Sequence, residues 1–107
     1  MSATEILLVG SSNTIEVRGL RDAISLSYQN AATVTMTLKD ATGNNVSGET
    51  WPFTLSYVAS SDGIYRGTLA AALGVVAGRT YYGHITATQG GSTRFWKKPF
   101  IAMVGSE

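Results

Sequence analysis

The chain has 107 residues, no cysteine, and charged residues at only 14% of the total, with a formal net charge of +1. This length suits one domain with a single hydrophobic core. The lack of cysteine excludes disulfides, thiolate metal sites and a cysteine nucleophile, and the balanced charge argues against capture of nucleic acid. Small monomers usually keep more surface charge, so a surface rich in Thr, Ser, Gly and Ala suits contact with neighbouring proteins.

The N-terminal part predicts two short strands, at 4–9 and 14–18, separated by a turn cluster of Gly, Ser and Asn. A first strand broken in this way is common where an edge strand passes from one sheet to another. It also suits an arm that pairs with another subunit, so 1–18 is predicted to be an edge strand or assembly arm of a single domain over 1–107. The apolar run 6–9 is too short for a secretion signal or a membrane span, which predicts synthesis in the cytoplasm and no membrane partner.

The middle of the chain predicts further strands, because apolar and polar residues alternate with a period of two. The clearest case is 33–39, where Val34, Met36 and Leu38 point one way and threonines point the other. The Asp62-Gly63 pair gives the strongest turn signal, since Asp-Gly between two strands is typical of a hairpin. The predicted segments are 23–28, 33–39, 46–49 as a short edge strand, 53–58 and 64–70.

The C-terminal part begins with one place for a helical turn, at 71–74, and continues through a corner at Gly78 into a strand over 81–88. Tyr81 follows Gly78 at the start of this strand. It resembles the tyrosine corner of immunoglobulin-like and fibronectin-III-like sandwiches, in which a buried ring bonds the backbone upstream. A last strand over 93–102 contains Pro99, which predicts a bulge or an edge break because proline cannot donate to a ladder.

Seven to nine short strands with regularly spaced turn signals predict an all-β fold. The expected form is an immunoglobulin-like or fibronectin-III-like antiparallel β-sandwich, in which two stacked sheets enclose one core. The predicted core residues are Ile24, Leu26, Val34, Met36, Leu38, Phe53, Leu55, Tyr65, Leu69, Tyr81, Ile85, Ala87 and Phe95.

Catalytic and metal-binding patterns give little signal. His84 is the only histidine, and the surrounding strand pattern supplies no distinctive nucleophile or acid partner, so it is predicted to be a surface or half-buried strand residue. The acidic residues are scattered, and most lie in or beside turns. Gly74 and Gly78 flank a segment without the spacing or the lysine of a phosphate loop. The sequence therefore predicts no enzyme, no catalytic residue, no cofactor and no metal.

Aromatic and basic side chains are the candidates for a contact surface, because Tyr, Trp and Arg are enriched at interface hot spots. The stretch from Arg94 to Lys98 mixes cations with Phe95 and Trp96, a mixture that can bind single-stranded nucleic acid or sugars. The favoured interpretation is an edge strand that its lysines protect against unwanted pairing. If Trp51 and Trp96 both face outward, a protein interface is expected, with a carbohydrate platform as the alternative. The predicted interface residues are Trp51, Tyr82, Trp96, Lys97 and Lys98.

Three segments, 33–44, 62–69 and 78–87, carry a resemblance to a known family. They contain Leu38-Lys39-Asp40, then Gly63-Ile64-Tyr65, then Gly78-Arg79-Thr80-Tyr81. In this order they resemble small immunoglobulin-like domains of tailed-bacteriophage virions, such as the N-terminal domain of baseplate upper proteins. The resemblance implies a structural subunit of a phage particle, made in the host cytoplasm and located in the virion. A head decoration, a head–tail connector and a tail or baseplate accessory are all compatible with it. The partners would be other virion proteins or further copies of the chain.

Overall fold

The computed structural model describes residues 5–21 and 27–104, which form seven β-strands and no helix. The strands are β1 (Glu5–Val9), β2 (Asn13–Val17), β3 (Thr33–Asp40), β4 (Phe53–Tyr57), β5 (Tyr65–Leu69), β6 (Thr80–Gln89) and β7 (Ser92–Val104). The predicted all-β class is confirmed. No helix of the described residues has the length and apolar character needed to cross a membrane.

The strands join into one mixed, nearly barrel-like sheet in the order β1-β7-β6-β3-β4-β5-β2. Every neighbouring pair is antiparallel except β1 and β7, which run parallel. The sheet changes direction at β4, because Phe53 to Leu55 pair with β3 whereas Ser56 and Tyr57 pair with β5. This bend brings β1 and β2, the two outermost strands of the sheet, towards each other around a common core.

Strands β1 and β2 follow each other in sequence but lie at opposite edges of the sheet. We call the gap between these edges, with β1 and β7 on one side and β2 on the other, the seam. Asn13 ties one end of it: its side chain accepts the Leu8 N–H at 2.8 Å and donates to the Leu8 carbonyl at 3.1 Å. Lys98 ties a second point, since Nζ donates to the Glu16 carbonyl at 3.2 Å and pairs with Glu5.

In β3 and β6 the alternating apolar positions of the sequence match the buried residues of the structure, since every inward residue is buried. Phe53 is half-buried and packs against this core. Phe95 was predicted inside, and this is wrong: its side chain is 76% exposed. The antiparallel register places Trp96 opposite buried Ile85, so Trp96 takes the inward position and Phe95 points out. The confirmed core residues are Val34, Met36, Leu38, Leu55, Tyr65, Leu69, Tyr81, Ile85 and Ala87.

Some predicted elements differ from the structure. The segment 46–49 is not a strand: Val46 is buried and its N–H bonds the Leu38 carbonyl, but regular pairing there stops at an isolated bridge between Lys39 and Asn45. Residues 71–74 form a turn without a helix. Most of the predicted strand 23–28, with Ile24 and Leu26, lies outside the described residues.

Pro99 lies inside a continuous strand, opposite Tyr82 of β6, and not at a break. Ala102 exchanges backbone hydrogen bonds with Gly78 and Arg79 on the β6 side. Because backbone polar groups alternate in direction along a strand, the missing N–H of Pro99 faces away from β6 and costs no ladder bond. Pairing with β1 begins only at the next residue, Phe100.

The corner before β6 has the predicted hydrogen bond. Gly78 has a positive φ of 86°, and the buried Tyr81 hydroxyl accepts the Val76 N–H at 2.8 Å. We expect Tyr81→Phe to lower the free energy of unfolding by about 1–2 kcal/mol, because it removes this one bond and leaves the ring in place. Urea denaturation measures the change, with Tyr82→Phe on the exposed face of the same strand as the control. An equal change in the free energy of unfolding for the two variants would show that the Tyr81 hydroxyl bond does not stabilise the corner.

Candidate functional site

The predicted interface residues do not form one surface. Trp51 is half-buried against the core, and its ring N–H donates to the Val46 carbonyl at 2.7 Å. Tyr82 and Lys97 lie on the outer side of the sheet, on adjacent strands. Trp96 and Lys98 point to the other side, towards the seam. The strand period explains the division, since successive side chains of β7 face opposite sides of the sheet.

An apolar surface lies on the outer side of β1, β7 and the start of β6. We call it the outer face and define it by Ile6, Leu8, Ile101, Met103 and Tyr82. Ile6 is opposite Ile101, and Leu8 is opposite Met103, so the side chains form two matched pairs across the parallel ladder. Ile6 is 54% exposed, Leu8 39% and Met103 45%. Contiguous exposed apolar side chains of this kind mark contact sites more often than solvated surface.

Sequence reasoning identified Tyr82 but missed the other members of the outer face. Ile6, Leu8 and Met103 are ordinary strand residues in their own segments. They become neighbours only because β1 pairs parallel with the last five residues of β7, a contact between the two ends of the chain. Nothing local in the sequence signals that pairing.

A groove of about 730 Å³ occupies the open part of the seam, where β7 extends beyond β1. Its walls come from the end of β2 with the following turn, from β7, and from the start of β1. Half-buried Trp96 contributes its aromatic ring to the lining. The charged lining residues are Glu5, Glu16, Arg18, Arg21, Arg94 and Lys98.

The acidic groups of the groove already have cationic partners. Glu16 pairs with Arg66 at 2.6 Å and with Arg18. The Arg66 hydrogen bond, with a smaller contribution from Arg18, holds the pKa of Glu16 below its ordinary value. Glu5 pairs with Lys98. Electrostatically, the carboxylates are neutralised and the surplus charge of the groove is positive.

The surplus charge comes from Arg21 and Arg94. The Arg21 guanidinium lies over the Tyr28 ring, 4.4 Å from its centroid, and donates to the Tyr28 hydroxyl at 2.6 Å. Arg94 donates to the Arg21 carbonyl. Neither forms an ion pair with a carboxylate among residues 5–21 and 27–104. The two cations are therefore held in place at the groove while their charge stays uncompensated by those residues.

His84 lies on the outer side of β6, opposite Lys97 of β7, beside a smaller cavity of about 250 Å³. It is half-buried, as predicted. Burial, followed by the positive charges of Lys97 and Lys39, lowers the pKa of His84 from its ordinary value. Among the described residues, no group of three or more His, Cys, Asp or Glu side chains is placed to hold a metal ion.

The lowered pKa of His84 has a consequence for stability. A histidine with a lower pKa in the folded state takes up its proton more readily when unfolded, so acid favours unfolding. We expect the stability contribution of neutral His84 to be complete above about pH 6.5, the ordinary histidine value, and to decline as the pH falls below it. As the pH is lowered below this value, the urea concentration at the unfolding midpoint should fall for the wild type and change less for His84→Gln. Identical slopes for both proteins would contradict the assignment.

No family model, no curated protein and no solved structure matches this chain. The geometry of the outer face and of the groove therefore carries the functional argument.

Proposed function

We propose that this chain is a non-enzymatic structural subunit of a tailed-phage particle that acts through protein–protein contacts. The observation that carries the proposal is the outer face, where exposed Ile6, Leu8 and Met103 lie side by side with half-buried Ile101 across β1 and β7. The phage setting comes from the resemblance of the segments around Asp40, Gly63 and Tyr81. A head decoration, a head–tail connector and a tail or baseplate accessory all use such contacts.

The immunoglobulin-like arrangement belongs to the same proposal. The bend at β4 divides the sheet into β1, β7, β6 and β3 on one side and β5 and β2 on the other. Such a division supports two layers that share a core, with β1 and β2 as the two parts of a first strand that changes layers. In this arrangement the outer face forms the β1 and β7 part of the exterior of one layer, where it is open to a neighbouring protein.

The outer face has enough apolar surface to contribute to association. Fully burying an exposed Leu, Ile or Met side chain contributes about 1.5–3 kcal/mol, and these side chains are partly covered already, so roughly 1 kcal/mol each is reasonable. Together, three such contributions correspond to a large change in the affinity of the outer face for a neighbouring protein. Low overall charge also helps, since only 14% of residues are charged and little long-range repulsion opposes contact between copies or neighbours.

The test combines location with mutation. Mass spectrometry of purified particles from a phage that encodes the chain should find it at a fixed copy number. The triple variant Ile6→Thr, Leu8→Thr and Met103→Thr should weaken association with those particles by at least about tenfold, because threonine keeps strand propensity but loses apolar area. Phe95→Thr, which removes a more exposed apolar side chain from the far end of β7, is the matched control. Absence of the protein from every particle would end the proposal.

Carbohydrate binding through Trp51 and Trp96 stays a separate prediction. Trp96 lines the groove, whereas Trp51 directs its ring N–H to Val46 and lines neither described cavity. A sugar would therefore meet the two rings at different places and not on one platform. A glycan array with the wild type and with Trp96→Ala tests the prediction directly, and saturable binding lost in the variant would support it.

A further inference from the structure

The groove in the seam is bordered by two strand edges whose pairing is incomplete. Strand β7 spans Ser92–Val104, but β1 covers only Phe100 to Val104. Between 92 and 99, no strand of the described residues pairs with β7 on the side away from β6. Across the groove, β5 is the one strand of residues 5–21 and 27–104 that pairs with β2. Within the part of the chain that the structure describes, each border of the groove is thus a strand with one edge unpaired.

The direction of the backbone groups shows which residues face the groove. Ala102 bonds towards β6 through both its N–H and its carbonyl, and the β6–β7 register continues without a break from there to Ser92. Odd-numbered residues of β7 therefore direct their backbone groups to the other side, which places those of Phe95 and Lys97 at the groove. On β2, the Glu16 carbonyl faces the seam, because it accepts the Lys98 ammonium.

Unpaired strand edges of this kind accept an extended peptide, which adds a strand through backbone hydrogen bonds while side-chain contacts give specificity. The charge of the groove indicates which peptide fits. Four of the eight Lys and Arg residues line it, against two of the seven Asp and Glu residues. Both acids are paired, whereas Arg21 and Arg94 lack a carboxylate partner among the described residues.

We infer that the seam binds an extended acidic segment of a partner protein, which adds as a strand to β7 at Phe95 and Lys97 and places carboxylates against Arg21 and Arg94. The added strand narrows the opening between β7 and β2 and covers Trp96. The β7 side chains that line the groove point to the opposite face of the sheet from Ile101 and Met103, so the groove is a second contact surface. It does not depend on the particle association proposed above.

The chain provides its own reporter for the test. It has two tryptophans, so Trp51→Phe leaves Trp96, in the groove, as the only one. The probe is a synthetic peptide of alternating valine and glutamate, about nine residues long to match a typical strand. We expect saturable quenching or shift of Trp96 fluorescence, together with slowed hydrogen exchange at the amides of Phe95 and Lys97. Circular dichroism and thermal unfolding confirm that the Trp51→Phe protein is folded.

Two peptide controls separate strand addition from simple charge attraction. The same peptide with alternate backbone nitrogens methylated keeps its charge but loses its ladder donors, and it should bind at least about tenfold more weakly. An alternating valine and lysine peptide should not bind. Equal binding by the methylated peptide would overturn strand addition, as would no saturable signal with the acidic peptide.

Two protein variants locate the site. Arg94→Gln and Arg21→Gln should each weaken binding of the acidic peptide by about tenfold, because a charge-assisted contact is lost. Arg79→Gln, an exposed arginine outside the groove, should have no effect and serves as the charge-matched control. If the amides of Phe95 and Lys97 are already protected in the free protein, the chain itself occupies the seam and the inference is overturned. Failure of particle association with intact peptide binding would reject the proposed function alone.

Discussion

Replacing Gly63 with alanine is expected to lower the free energy of unfolding by about 3 kcal/mol or more, since backbone strain and a steric clash act together. Gly63 has a positive φ of 67°, a region that residues with a Cβ seldom adopt. An added Cβ would lie 2.6 Å from both the backbone nitrogen and the carbonyl oxygen of Leu20. Backbone atoms cannot rotate away as a side chain can, so the segments must move apart.

The same movement would disturb the hydrogen bonds that fix the turn between β4 and β5. The Gly63 carbonyl accepts the Leu20 N–H at 3.0 Å, and the Gly63 N–H donates to the Asn30 side chain at 2.8 Å. Leu20 is itself buried. A single glycine thus connects the turn to the segment after β2 and to the segment before β3.

Gly78→Ala is the matched control for Gly63→Ala. Gly78 also has a positive φ, 86°, but an added Cβ there would meet no atom within 4 Å. Only the conformational cost remains, which is about 1–2 kcal/mol for a left-handed residue. Urea denaturation of both variants measures the difference. Similar losses for the two would show that the close contact with Leu20 relaxes at little cost.

These two glycines show what could be predicted from the sequence. Both were assigned to turns, because glycine between alternating segments is a local signal, and both assignments are correct in kind. The contact between Gly63 and Leu20 joins residues far apart in the chain, and no local pattern contains it. The difference in their expected effects is therefore a property of the fold.

The strands and the candidate site likewise divide into features that a local sequence pattern predicts and features that depend on contacts between distant residues. Alternation alone predicted β3 and β6 well, because one of their faces is buried and the other is solvated. It failed at Phe95 and Trp96, two adjacent aromatics of which either could point inward, since only pairing with β6 fixes the choice. Which residues come together in the outer face and in the groove depends on contacts still more distant in sequence, such as the one between Lys98 and Glu16. Local chemistry identified some members of each surface but could not group them.

Tyr65→Ala is expected to lower the free energy of unfolding by about 3–5 kcal/mol, because it removes one of the largest fully buried side chains. The ring packs against Tyr57 with a centroid distance of 5.5 Å. Its hydroxyl donates to the Gln29 carbonyl at 2.5 Å and accepts the Ala32 N–H at 2.9 Å. Tyr65 therefore holds the segment before β3 against β5 by packing and by hydrogen bonding.

Tyr65→Phe separates these two contributions. It keeps the ring but leaves the buried Gln29 carbonyl and the half-buried Ala32 N–H without their partner, so a loss of about 2–4 kcal/mol is expected. That loss should exceed the one for Tyr81→Phe, where a single bond to Val76 is removed. The ordering follows from the number of partners: the Tyr65 hydroxyl bonds two backbone groups, whereas the Tyr81 hydroxyl bonds one. If urea denaturation showed Tyr81→Phe to be the more damaging change, the corner before β6, and not the link between β5 and the segment before β3, would be the main tyrosine anchor of the fold.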